Sequence, residues 1–476
     1  MKGVDTAVAT VVGHDAASPT AALRLSVGRA GAAEAAIIDL AGRPVAWFRI
    51  SGGEHRGALG STEGGVVEHL VGQALDLGVP IVGVLSTSGA DLRDGVASLD
   101  AWGRVARILT EASGVLPVIL VVAGPCLSGP ALLLGLADFV LMTDDSFAYL
   151  SGPGAVAGFT GMEIGRDRLG GAAVHSRRTG VASLTVGDEQ EALDTAALLL
   201  SYLPANNFEE PPLLWNDDPT DRQCVLAAAA VPGTSTASYD VRVVIEDVCD
   251  RGSFVELWAE YAPNMVTGLA SIGGHPVAVV ANQPCQRAGT IDIEASRKAA
   301  RLVQCCDAFN IAVLTLVDTP GFEPGKDLEW RGMIRHGAEL VMAYAAATVP
   351  RLCVVLRKAY GGAYIVMDSK TLGNDLCLAW PKAEIAVLGA PAAVQILHGK
   401  RLAIEEADNG GSAATRAALE DEYQRTYCGP GPASERGYVD EVIDPIDTRR
   451  LLADALRVLG RKQDRHPKRR HTNSPL

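Results

Sequence analysis

The chain has 476 residues, enough for two or more domains with cores of their own, and an ordinary apolar share of 48%. Its formal net charge of −14 argues against a general nucleic-acid binder, which needs a basic face to neutralise phosphates. No apolar run reaches the roughly eighteen residues of a membrane span, and the start, MKGVDTAVATVVGHDAASP, lacks a signal peptide's basic-then-apolar layout, so the expected setting is cytoplasmic and membrane-free.

Residues 1–35 are rich in Ala, Gly and Thr with little periodicity, and weak order is expected there. Strand patterns follow at AIIDL and PVAWFRI, and Val66 to Leu77 reads as an amphipathic helix. PIVGVL is a buried strand that ends in Ser86-Thr87-Ser88-Gly89-Ala90. A second helix over about 97–113 leads to the strand PVILVV and the turn Gly124 to Pro130. Strand and helix alternating in this way predict a mostly parallel sheet. The Pro-, Asp- and Asn-rich stretch 204–222 reads as a linker, which divides the chain into domains at 1–225 and 226–476.

After the linker the pattern starts again. Ala312 to Gly321 (AVLTLVDTPG) overlays Pro80 to Gly89 (PIVGVLSTSG), and Pro350 to Ala363 overlays Pro117 to Pro130 with nearly the same offset. One α/β unit is therefore expected twice, each copy with a strand running into a glycine turn. In the second copy that strand is Leu352 to Leu356, and it stops at Gly361-Gly362-Ala363, where a helix begins. Amides at a helix start lack partners, and glycine admits a ligand close to them, so a carbonyl parked there gains donors as it becomes an oxyanion.

Other chemistries find no equipment. The nine cysteines are scattered with no CxxC pair, and the nine histidines show no HExxH, so no metal site is predicted. His175 and His336 read as structural hydrogen-bonders. There is no GxxxxGK[ST], no GxSxG, and no biotin-attachment Met-Lys-Met. The basic run Arg461 to Arg470 reads as a solvated terminus.

The second half resembles the carboxyltransferase β subunit of biotin-dependent acyl-CoA carboxylases. The matching stretches are YAPNMVTGLA (261–270), ANQPCQRAGTIDIEASRKAARLVQCCDAFNI (281–311), VDTPGFEPG (317–325), IRHGAEL (334–340), RKAYGGAYIVM (357–367) and AWPKAEIAVLGAPAAV (379–394). The first half matches more thinly, at GPC (124–126), SGPGAV (151–156) and LGGAAVHSRRTGVAS (169–183). The resemblance implies an α/β fold of two tandem crotonase-like domains built from ββα superhelical turns. It also implies a hexamer of β-type subunits, whether of one kind or several, with active sites formed between subunits. Its partner would be a biotinylated α subunit that delivers carboxybiotin, and its other substrate an acyl-CoA thioester. In the family's reaction carboxybiotin releases CO2, the ureido anion takes the α-proton of the acyl-CoA, and the enolate captures the CO2. The protein then mainly holds two oxyanions.

Carried over, Gly361, Gly362 and Ala363 form the second domain's oxyanion hole, and Ser128 and Gly129 belong to the first. Tyr364, Ile365, Gly89, Ala90, Gly152, Pro153, Gly321 and Phe322 fall at substrate-binding positions, with Ile365 lining the acyl pocket. Asp292, Ser296 and Lys298 also match, and are read first as helix capping and surface charge. The first domain departs from the family pattern. Where Ala-Gly-Gly-Ala is usual it has Leu127-Ser128-Gly129-Pro130, and Asp91 replaces a positive residue. If the repeat overlay holds, Pro130 stands opposite Ala363 and that donor is absent; if the amides are those of Ser128 and Gly129, both remain. Two further readings are a biotin-independent acyl-CoA decarboxylase, and a non-catalytic subunit holding a carboxylase complex together.

Overall fold

The computed structural model describes residues 25–53, 55–234, 236–409, 412–460 and 462. The basic run at Arg461 to Arg470 lies outside them apart from Lys462, as do the first 24 residues. From Leu25 onward the expected weak order does not hold, because the chain is already in a sheet.

Two compact units emerge. The first comprises the residues up to Leu214 with Leu257–Tyr261 and Ala308–Asn310; the second takes up the chain at Trp215. Strands of the first are β1 (Leu25–Ala30), β2 (Ala33–Leu40), β3 (Arg43–Ile50), β4 (Ile81–Thr87), β5 (Val118–Leu127), β6 (Phe139–Thr143), β7 (Phe147–Tyr149) and β8 (Leu184–Val186). The antiparallel meander β1-β2-β3 continues into the parallel run β4-β5-β6-β8, and β7 pairs with the far end of β5. Parallel pairing needs crossovers, which helices Ser61–Leu77 and Val96–Ala112 supply. Both cover one face of the sheet, burying Val67, Leu70, Val71, Val105 and Leu109 against Ile81, Leu85, Leu120 and Val122.

The second sheet repeats this plan strand for strand: β9 (Val255–Leu257), β10 (Met265–Ile272), β11 (His275–Asn282), β12 (Ala312–Thr319), β13 (Arg351–Tyr360), β14 (Leu376–Ala379), β15 (Glu384–Ala386) and β16 (Glu441–Val442). Its order is β16-β14-β13-β12-β11-β10-β9, with β15 on the end of β13. All but the last residue of β13 are buried, as expected of a strand covered on both faces.

The repeat extends to irregularities. The β4–β5 ladder slips between Leu85 and Thr87, and the β12–β13 ladder between Val317 and Thr319. A parallel bridge joins Leu59 to Ala90 in one unit and Ile291 to Phe322 in the other. Such matched defects mark a duplicated unit, because hydrophobic patterning alone does not demand a bulge in one place. Among the described residues no helix is long and apolar enough to cross a membrane, and no cluster of His, Cys, Asp or Glu could hold a metal.

Candidate active site

Each unit brings two loops together at the carboxyl end of its central strands. In the second unit the first loop follows β12. Gly321, at φ 144°, donates its amide to Thr319 Oγ1 at 3.3 Å, and its carbonyl accepts from Ile291 N at 3.1 Å. The second loop follows β13, where Gly361 turns the chain with φ 59° and the helix Gly361–Val366 begins at once. A Cβ at Gly361 would stand 3.2 Å from the Val387 carbonyl, and one at Gly362 would stand 3.5 Å from the Phe322 ring. The Phe322 ring therefore packs beside the Gly362 backbone. First-turn amides have no intrahelical acceptor, so Gly362 and Ala363 present two N–H groups beside an apolar ring. Ala363 is buried; Ile365, one turn away, is 37% exposed. Tyr364 turns its hydroxyl toward the Tyr438 carbonyl at 3.4 Å.

A buried ion pair braces this turn from below. Arg357 Nε donates to Asp318 at 2.9 Å, and Arg357 Nη1 donates to the carbonyls of Thr234 and Ala237 at 2.8 and 2.6 Å. Lys358 N and Asn282 Oδ1 tie the Asp318 side chain and backbone into the same place. Burial pushes the Asp318 carboxyl up, and the charges of Arg357 and Lys358 pull it back. Neither residue stood out in the sequence, since a charged side chain within a buried strand announces no partner.

The first unit has the same two loops. Gly89, at φ 110°, is held by Thr87 Oγ1 at 3.1 Å, and its carbonyl accepts from Leu59 N at 2.8 Å. A Cβ at Gly89 would lie 3.2 Å from Ser128 Cβ, which places Gly89 against the second turn. There Ser128 has φ 60° and ψ −144°, the conformation that Gly361 adopts by φ in the other copy. Ser128 N donates to the Tyr149 carbonyl at 2.9 Å and is thereby spent on the β5–β7 ladder. Pro130 follows Gly129 at the start of the 3₁₀ helix Gly129–Leu136 and has no N–H. Of the four residues Leu127 to Pro130, Gly129 is left with the open amide. Gly152 caps the helix Pro153–Thr160 and packs near the Tyr149 ring. The positions equivalent to Asp318 and Arg357 are Ser86 and Gly124, and a Cβ at Gly124 would meet Ser86 Oγ at 2.6 Å.

Other expected residues fall away from these turns. Asp292 caps helix Ile293–Ala308 through Ala295 N at 2.8 Å, and Ser296 donates to the Asp292 carbonyl at 2.9 Å. Lys298 is not a surface charge. It is 3% exposed, donates to the Met265 carbonyl at 2.6 Å, and burial pushes its ammonium down to about 7. The polar sequence context hid this, because Lys298 lies on the buried side of its helix with Ala295, Ala299 and Leu302. His175 bonds the Ala148 carbonyl and His336 bonds Glu339, both as structural groups.

This arrangement has known counterparts. The carboxyl transferase domain model matches residues 39–474. The chain belongs to the carboxyl transferase family. It is 45% identical over 431 residues to the propionyl-CoA carboxylase beta chain of Saccharopolyspora erythraea, covering 88% of this chain and 79% of that one. The methylmalonyl-CoA decarboxylase subunit alpha of Propionigenium modestum is 37% identical, over 90% of this chain and 82% of its own. Among solved structures, a transcarboxylase 12S crystal structure described as a hexamer with methylmalonyl-CoA bound superposes with a TM-score of 0.89 at 38% identity. That match covers 94% of this chain and 85% of the other. Carboxyl transfer to an acyl-CoA thioester is the chain's reaction class, and its two α/β units are crotonase-like.

Proposed function

We propose that the turns after β5 and β13 are the two oxyanion holes of a carboxyltransferase, one for the thioester carbonyl and one for the ureido carbonyl of carboxybiotin. The observation that carries this reading is the pair of first-turn amides at Gly362 and Ala363, fixed by Gly361, Phe322 and the buried Asp318–Arg357 pair. Carboxybiotin supplies the CO2 and, once it has lost it, the base. In this reading it is delivered by a biotinylated partner subunit.

What the chain's residues contribute is electrostatic. Gly362 and Ala363 donate to one oxygen as negative charge builds on it, and they are in place beforehand, so no reorganisation opposes the step. The Phe322 ring beside them excludes water and keeps the local dielectric low. Gly89 and Ala90 position one substrate beside Gly129, and Ile365 lines the acyl pocket at the outer end of its short helix. The two carboxyltransferase domains are residues 1–225 and 226–476, acting in a hexamer of β-type subunits like the one named for the transcarboxylase structure.

The test uses the purified full chain with free biotin and a panel of carboxylated acyl-CoAs. Decarboxylated product that forms only with biotin supports the reading and reports the acyl preference. Product formed equally without biotin favours the biotin-independent decarboxylase reading. No product in either case, from folded and assembled protein, leaves the non-catalytic subunit.

A further inference from the structure

The first unit's turn lacks one amide, and a different donor lies beside it. A Cβ built on Gly129 would stand 2.9 Å from Trp102 Nε1 and 3.0 Å from Trp102 Cε2. The nitrogen edge of the indole thus lies directly against the Gly129 backbone, and only glycine fits there. Trp102 projects from helix Val96–Ala112, and its ring packs against the first unit's core. Trp102 is half-buried, and no residue among those described takes a hydrogen bond from its N–H. The second unit differs in the same place, since the ring beside Gly362 is Phe322, which has no donor, and Ala363 retains its amide.

We propose that the Trp102 indole N–H is the second hydrogen-bond donor of the first unit's oxyanion hole, acting with the Gly129 amide in place of the amide that Pro130 lacks. The proposal rests on the carboxyltransferase reading above. An indole N–H is a donor only, with no acceptor face, which suits a site meant for an oxygen that gains negative charge. It donates a hydrogen bond and keeps its proton; no covalent bond to it forms or breaks. The ligand group is a carbonyl oxygen that becomes an oxyanion, and both the acyl thioester and the biotin ureido group offer one.

The experiment compares Trp102→Phe, Pro130→Ala and the double variant in the full chain, each checked for fold and assembly. In the biotin-dependent decarboxylation of malonyl-CoA or methylmalonyl-CoA, Trp102→Phe is expected to lower kcat by about 10²–10³ with little change in KM, the scale of one lost donor. Added to Pro130→Ala, which restores the backbone donor, the same change is expected to cost no more than about threefold, since one of two redundant donors is then removed. A turnover-free arm records the infrared carbonyl band of bound acyl-CoA labelled with carbon-13 at the thioester, and separately of biotin labelled at the ureido carbon. The band of whichever group occupies this hole is expected to rise in frequency in Trp102→Phe. An unchanged kcat, an equal loss in both backgrounds, or two unmoved bands each overturns the proposal, the second by showing that Trp102 acts through packing. Absence of biotin-dependent turnover in the unaltered chain would instead overturn the carboxyltransferase reading, and the infrared arm would still report on the indole.

Discussion

The turn after β13 and the turn after β5 share one backbone and differ in nearly every group that could act on a ligand. Both are reached through a bulged pair of parallel strands, both start with a residue at φ near +60°, and both sit against a glycine whose amide bonds a threonine hydroxyl. Beyond that they part. The second unit has glycine at the strained position, two open amides, a phenyl ring and a buried ion pair below. The first has Ser128, one open amide, Pro130, an indole, and Ser86 with Gly124 where the ion pair would be. Duplicated scaffolds hold their sheet geometry because every ladder bond depends on it. The groups at the turn answer only to what is bound there, and so they diverge.

The largest effect is expected at the ion pair. Arg357→Met strands the Asp318 carboxylate in a buried site and is expected to cost about 3–5 kcal/mol of stability, read as a lowered Tm. Adding Asp318→Asn should recover part of that loss. No recovery would mean that the carbonyl contacts of Arg357, not its charge pairing, hold the turn.

Ala363→Pro imposes on the second unit what the first already carries. Proline is tolerated in a first helical turn, so the fold should survive, and the neighbouring ring there is Phe322 with no donor to compensate. A fall in kcat of about 10²–10³ is expected in the biotin-dependent assay. A fall below tenfold would show that the second turn does not hold a developing charge.

Lys298 offers a pH test. Helix Ile293–Ala308 repeats helix Ser61–Leu77, and the residue matching Lys298 is Val66, which packs against the first core. Because burial depresses the folded Lys298 to about 7, the unfolded chain binds more protons above that pH. Stability should therefore rise from about pH 7 toward the ordinary lysine value near 10.4, by at most about 1.4 kcal/mol per pH unit. In Lys298→Met that rise should vanish; its persistence in a denaturant series would assign it to other groups.

The smallest change exchanges the strained residues. Ser128 at φ 60° and ψ −144° lies in a region that glycine occupies freely, so Ser128→Gly should stabilise the first unit by about 1 kcal/mol. Gly361→Ala should destabilise by at least as much, with the Val387 carbonyl 3.2 Å from the new Cβ. Equal and opposite shifts in Tm would confirm that the two turns share one backbone requirement.

Much of the architecture was open to a reader of the chain alone. The strands at Pro80 to Leu85, Pro117 to Val122 and Leu352 to Leu356 stand out because a strand buried on both faces must be apolar throughout, and the overlay of two such strands with their turns exposes the duplication. The glycines at 89, 321 and 361 are visible for a related reason, since each turns the chain at a positive φ that favours that residue. Gly129 was visible too, though not the indole that makes it necessary. The fate of the Ser128 amide could not be read, because its acceptor, Tyr149, is brought to it by a neighbouring strand. The same holds for Asp318 with Arg357 and for the burial of Lys298. Local chemistry and periodicity are written along the chain, and they settle which segments are strands, where they turn and that the unit occurs twice. Which donor is spent, which charge is paired and which ring covers an amide depend on residues far apart in sequence, and those were decided only when the sheet brought them within hydrogen-bonding distance.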